Sequence, residues 1–209
     1  MDEKYTIKSE EELKNFYDPP IDRAIKKQKT ELDEPSREFI LNSPFLCLAT
    51  TNPNASTDCS PKGDAPGFVK ILNNKTIIIP DRKGNNRLDG LINILHDSRV
   101  GILFMIPGRN ETLRVNGHAK LSINPKWLNE FEVKGKNPKV VIVVNIEEVY
   151  LHCPKAFVRS SLWQRGAERV PDIKTYIRAS RKQLGVDLSE EEILKLANEY
   201  EDAFEDTLY

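Results

Sequence analysis

Long apolar runs, paired cysteines and an excess of charge of either sign are all missing from this 209-residue chain. Apolar runs such as Val140–Val144 fall far short of the roughly 20 residues that span a bilayer. The opening MDEKYTIKSEEELK is acidic and polar where a signal peptide would be apolar. A net charge of −1 leaves no global field to attract nucleic acid or an anionic membrane, and aromatics are not interleaved with the basic residues. The three cysteines (Cys47, Cys59, Cys153) are odd in number and lack paired spacing, which argues against a disulfide framework and suits a reducing cytoplasm. His96, His118 and His152 have no metal-ligand spacing with one another or with the cysteines, so no metal is expected. Neither GxxxxGK[ST] nor GxGxxG occurs, and no Ser/His/Asp order or carboxylate pair stands out. What remains is a soluble, cytoplasmic, globular protein able to bury a substantial core.

The first forty residues read as helical. Ser9 with Glu12 fits a capping box, Asp18-Pro19-Pro20 stops that helix, and further helices are predicted over 21–29 and 34–42, the latter with Pro35 in its first turn. From Phe45 the period changes to strands: FLCLAT, GFVKIL, KTIIIP, VGILFMI, TLRVNGHAKLSI and KVVIVVNIEEVYLH. Asn73-Asn74 predicts a tight hairpin, because Asn tolerates positive φ. One helix, Asn86 to His96, interrupts the strands with Leu88, Leu91, Ile92 and Leu95 on one face. Five or six mostly antiparallel strands with an inserted helix suggest a closed or partly closed barrel. The tail predicts helices over 172–184 and 189–208, with Ser189 and Glu192 as a second capping box. Ile193, Leu196, Ala197, Tyr200, Ala203 and Phe204 form one stripe; the acidic opposite face reads as a solvated surface or an interaction surface.

Between Lys62 and Arg87 six basic residues (Lys62, Lys70, Lys75, Arg82, Lys83, Arg87) face two acidic ones (Asp64, Asp81), in loops rich in Asn and Ser. Such loops at strand ends are suited to a phosphate group. In IPDRKGNNR a helix start would add free amides and a positive dipole end to the Arg82, Lys83 and Arg87 charges. The same run also reads as a basic surface loop whose Asn86 caps a helix. In DCSPKGD, Ser60, Lys62 and Gly63 place a hydroxyl, an ammonium and open backbone together, or merely form a turn after an edge strand. Thr112, Arg114 and Asn116 share one strand face by the two-residue period, toward either a ligand or solvent. FVRSSLW joins Arg159 and two serines to Trp163, an indole suited to core, interface or an aromatic ligand.

Together, SPKGD at 60–64, GFV at 67–69, IPDRKGNNR at 79–87, VGILFMIPG at 100–108, ETLRVNG at 111–117, CPKAFVRS at 153–160 and LW at 162–163 resemble the pyridoxamine 5′-phosphate oxidase-like, FMN-binding split-barrel family. The resemblance covers about half the chain and is specific only in combination. It implies a mainly β fold with flanking helices (α+β), a six-stranded split β-barrel, and a homodimer holding FMN at the subunit interface. The implied divisions are an N-terminal helical segment packed on the barrel (1–44), the FMN-binding split barrel (45–165) and a C-terminal helical segment (166–209). Carried over by position, Arg82, Asn86 and Arg87 grip the phosphate and ribityl chain, with Asp81 beside them and Ile79 and Pro80 as backbone contacts. Ser60, Pro61 and Lys62 meet the flavin, and Glu111 and Thr112 reach it from the neighbouring side; a cation near N1 would stabilise the anionic reduced flavin, and Lys62 or Arg114 could serve. Arg159, Ser161 and Trp163 resemble the partner subunit's contribution. The chain lacks the Arg-x-x-x-Leu-Lys strand motif and C-terminal Arg-x-His of true pyridoxamine phosphate oxidases, so vitamin B6 oxidation is not implied. The expected activity is an FMN-dependent oxidoreductase using a reduced nicotinamide or small molecule; the alternatives are a flavin-binding sensor without turnover, or a barrel holding F420 or haem.

Overall fold

The structure, a computed structural model, describes residues 3–54, 57–164 and 172–200. Seven antiparallel strands form one hydrogen-bonded sheet in the order β2-β1-β5-β6-β7-β4-β3. They are β1 (Phe45–Thr50), β2 (Asp58–Gly63), β3 (Lys70–Asn73), β4 (Thr76–Asp81), β5 (Arg99–Met105), β6 (Thr112–Ser122) and β7 (Val140–His152). Five of the expected strands fall within a residue or so of prediction, and GFVKIL forms strand only from Lys70.

The correction is β2, which makes seven strands where six were expected. Asp-Cys-Ser-Pro-Lys-Gly carries no β-branched residue and has a proline at its centre, so composition reads as a turn. It nevertheless pairs with β1 over its whole length, Phe45 opposite Gly63 through Thr50 opposite Asp58. At the sheet edge the missing amide of Pro61 costs no ladder bond on the free side.

One core fills the curled sheet. Leu46 and Leu48 of β1, Ile77 and Ile79 of β4, Phe104 of β5 and Leu113 of β6 meet Phe39 and Ile40 from the helix Glu34–Asn42. Each fully buried aliphatic side chain there contributes roughly 1.5–3 kcal/mol. β4 is apolar on both faces because Ile78 packs outward with Phe131, Val141, Trp127 and Leu128, over the short helix Pro125–Asn129. This explains its unbroken isoleucine run.

The β3–β4 hairpin forms without a positive φ at either asparagine; Asn73 Oδ1 instead accepts the Lys75 amide at 2.8 Å, closing an Asx turn. Counting helices in chain order, α1 (Glu10–Lys14) and α2 (Asp22–Lys26) are single turns with no buried residue. In α1 the Glu12 carboxylate reaches the Lys8 amide rather than that of Ser9. α3 (Glu34–Asn42) has the predicted bounds, with Asp33 as N-cap accepting from the Ser36 amide. α4 (Asp89–His96) starts later than predicted, because Asn86 takes a left-handed φ of 59° that a helix does not accommodate. α5 is Pro125–Asn129 and α6 is Lys155–Ser160. α7 (Ile173–Gln183) and α8 (Glu190–Asn198) pack together through the edge-on rings of Tyr176 and Tyr200, 5.9 Å apart. The Ser189–Glu192 capping box is present. Ala203 and Phe204 of the predicted stripe lie outside the described residues. Among the described residues no helix is long and apolar enough to cross a membrane.

Candidate functional site

The sheet curls until the end of β2 approaches the end of β4, and side chains rather than backbone join the two. Lys62 Nζ lies 2.8 Å from Asp81 Oδ1, and Arg82 Nε lies 2.7 Å from Asp64 Oδ2. Arg82 Nη1 also donates to the carbonyl of Phe131 at 2.6 Å. The barrel is thus split at a seam closed by ion pairs.

A cleft of about 420 Å³ opens beside this seam. Its walls are Asp58 to Lys62 of β2, Leu48 of β1, Asp81 at the end of β4, and Arg87 to Leu91 leading into α4. The alternation of β2 turns Asp58, Ser60 and Lys62 to its half-buried side, and Cys59 and Pro61 outward. α4 is held over β1 by the buried bond from Asn93 Nδ2 to Thr50 Oγ1, 3.1 Å. Its N-cap, Leu88, offers no side-chain cap, so the first helix amides keep hydrogen-bonding capacity at the cleft. Gly90 packs closely there: a Cβ would lie 3.1 Å from Asp58 Oδ2, a tight contact, and 3.8 Å from Ser60 Oγ. The Arg87 guanidinium is exposed and pairs with Asp89.

The donor set of this cleft is an ammonium, a guanidinium, a hydroxyl and a helix start. Its acceptor set is the carboxylates of Asp58, Asp81 and Asp89. A phosphate joined to a polyhydroxyl chain suits both sets at once, the phosphate taking the cations and amides and the hydroxyls taking the carboxylates.

A second groove, about 510 Å³, lies on the outer face of β1, β5 and β6. Thr112, Arg114 and Asn116 line it together, as the two-residue period predicts, alongside Ala49, Gly101, Leu103 and Phe157. Arg114 Nη1 donates to the Tyr150 hydroxyl at 3.1 Å. Burial, with Lys27 and Arg114 adding to it, pushes the His152 imidazole below its ordinary range. Cys59 lines both this groove and the cleft.

The predicted residues therefore divide. Ser60, Pro61, Lys62, Asp81 and Arg87 come together in the cleft, and Thr112 and Arg114 in the adjoining groove. Ile79 and Pro80 are buried and Asn86 is exposed, and none of the three lines the cleft. Arg82 does not line it either; its guanidinium is committed to the seam. Glu111 lies in a separate depression with Arg109 and Ile106. Arg159 is exposed on α6, Ser161 caps that helix with a φ of 50°, and Trp163 Nε1 donates to the Arg109 carbonyl at 2.6 Å. Asp58, Asp89 and Gly90 were not singled out by the sequence, since only the β2–α4 approach gives them a common purpose. Among the described residues no cluster of His, Cys, Asp or Glu can hold a metal.

No curated protein matches the chain. Among solved structures it is similar to HupZ from Group A Streptococcus, with 18% identity over 57% of this chain and 93% of that one at a TM-score of 0.45. It is similar to a putative pyridoxamine 5′-phosphate oxidase from Lactobacillus delbrueckii, with 21% identity over 58% of this chain and 95% of that one at 0.45. A third is an FMN-binding protein from Syntrophomonas wolfei, with 14% identity over 56% of this chain and 88% of that one at 0.43. The family model described as pyridoxamine 5′-phosphate oxidase matches residues 32–153, more than half of the chain and the whole of the seven-stranded sheet. This protein belongs to the pyridoxamine 5′-phosphate oxidase family.

Proposed function

We propose that this protein is a homodimeric FMN-dependent oxidoreductase of the cytoplasm, with the phosphate and ribityl chain of its cofactor held in the cleft at the barrel seam. One observation carries the reading: the cleft gathers Ser60, Lys62, Arg87 and the uncapped start of α4 from two separate stretches of sequence. Lys62 and Arg87 supply charge to the phosphate, and Ser60 and the first amides of α4 supply hydrogen bonds. Both cations already have carboxylate partners, so Lys62 turns from Asp81, and Arg87 from Asp89, when a stronger anion arrives. The released carboxylates then accept from the ribityl hydroxyls. Gly90 leaves the space that a side chain would close. Arg82 acts as a positioning residue that fixes the end of β4, and is not itself a ligand. FMN, when bound, supplies the redox chemistry, passing hydride equivalents between a reduced nicotinamide or small molecule and an acceptor. Arg159, Ser161 and Trp163, which do not line their own subunit's cleft, are assigned to the cofactor of the partner subunit.

The test is an absorbance spectrum of the purified protein before and after FMN is added at micromolar concentration, with the mass in solution measured by light scattering. The reading expects the two broad bands of oxidised flavin on a dimer. A colourless protein that takes up no FMN, or a Soret band in place of flavin, sinks it.

A further inference from the structure

All three cysteines, scattered through the sequence, line the one groove on the outer face of the sheet. Register brings two of them onto neighbouring positions. Cys47 of β1 stands opposite Pro61, and Cys59 of β2 stands opposite Ala49, so the two thiols are diagonal neighbours on adjacent strands. Both are free, with Cys59 exposed and Cys47 half-buried.

We infer that Cys47 and Cys59 form a reversible cross-strand disulfide, a two-electron site beside the cleft whose oxidant is a low-molecular-weight disulfide of the glutathione class. The step proceeds by exchange. The Cys59 thiolate attacks one sulfur of the small disulfide, breaking its S–S bond and releasing one small thiolate. Cys47 then gives up its proton and attacks the Cys59 sulfur, releasing the second small thiolate. Two protein thiols and one small disulfide thus become one protein disulfide and two small thiols, the two electrons ending on the small thiols with the two protons.

The order of attack follows from exposure. Burial, and then the neighbouring Cys59, push the Cys47 thiol above its ordinary range, so Cys47 stays protonated until a mixed disulfide forms beside it. Cys59 meets solvent directly. Diagonal residues on antiparallel strands ordinarily stand about 7–8 Å apart, longer than a relaxed disulfide takes. The bond must therefore shift β2 along β1. β2 can yield because it is an edge strand with β1 as its one neighbour in the sheet. A bond formed under that strain is readily reduced, which is what a reversible site needs.

The inference is independent of the flavin reading, and its test reads covalent linkage rather than turnover. The full-length protein is treated with glutathione disulfide, free thiols are blocked, and the digest is analysed by mass spectrometry. Trypsin leaves both cysteines in one peptide, Glu38–Lys62; cleavage before Asp58 separates them unless they are bonded. The expected product is that peptide short of two hydrogens, staying whole after the second cleavage and falling apart on reduction. It should form equally in Cys153→Ser, whereas Cys47→Ser should stop with glutathione on Cys59. Glutathione retained on Cys59 of the parent protein, a Cys59–Cys153 linkage, or no reaction each overturn the inference.

Discussion

Arg82 and Arg87 sit on the same basic loop, yet their surroundings assign them opposite work. The Arg82 side chain is 17% exposed and tied to Asp64 and the Phe131 carbonyl, whereas that of Arg87 is 76% exposed and, among the described residues, pairs with its neighbour Asp89. An exposed pair of that kind contributes little to folding, so Arg87 is available for a ligand. Arg87→Ala is therefore expected to weaken FMN binding by about 1.5 kcal/mol, roughly tenfold in Kd, with no change in Tm. Flavin fluorescence titration checks the first and thermal melting the second; unchanged affinity would move the phosphate away from this loop. The motifs drew attention to both arginines alike, because a sequence shows charge and not commitment. Which cation is free depended on Asp64 and the Phe131 carbonyl, one from a distant strand end and the other a backbone group that no side-chain pattern reveals.

Among the elements, those with strong periodicity were legible and those built by register were not. β1 and α3 have the predicted bounds, since FLCLAT alternates in burial and Asp33 and Pro35 mark a helix start. β2 carries no such signal, and it exists because β1 offers it a ladder. This strand matters for the site, since Ser60 and Lys62 share its inner side rather than the crest of a turn. A second feature invisible in the sequence is the register shift in β6 at Asn116/Gly117. A Cβ on Gly117 would lie 2.0 Å from the Asn145 carbonyl oxygen, so β7 passes where only glycine permits it. Asn145 also pairs with Thr76 of β4, so relief of that clash would disturb three strands. Gly117→Ala is expected to destabilise the protein by about 3 kcal/mol, read as a lower urea midpoint with an unchanged slope. A variant as stable as the parent would mean that the bulge relaxes freely.

For the whole molecule, the decisive question is how a sheet with two free edges keeps a fixed cleft between them. Among the described residues no backbone ladder joins β2 to β3, and the seam is bridged by Lys62–Asp81 and Arg82–Asp64. The second pair is the more buried, its carboxylate side chain only 6% exposed, and Asp64 is held further by its backbone N–H, which donates to the Pro44 carbonyl at 3.1 Å. Removing the cation takes the guanidinium charge away from a buried carboxylate, which costs more than the pair contributed. Arg82→Ala should therefore lower stability by about 3 kcal/mol, whereas Arg82→Lys, which keeps the charge but cannot serve Asp64 and Phe131 together with one rigid fork, should fall between. Urea denaturation gives the stabilities, and FMN titration of the folded variants gives the consequence for the cleft. If the seam positions the cleft walls, flavin affinity falls in step with stability across the two Arg82 variants, although Arg82 does not line the cleft. Loss of stability with full affinity would mean instead that β2 and α4 hold the cleft by themselves, anchored by the Asn93–Thr50 bond, and that the seam serves folding alone.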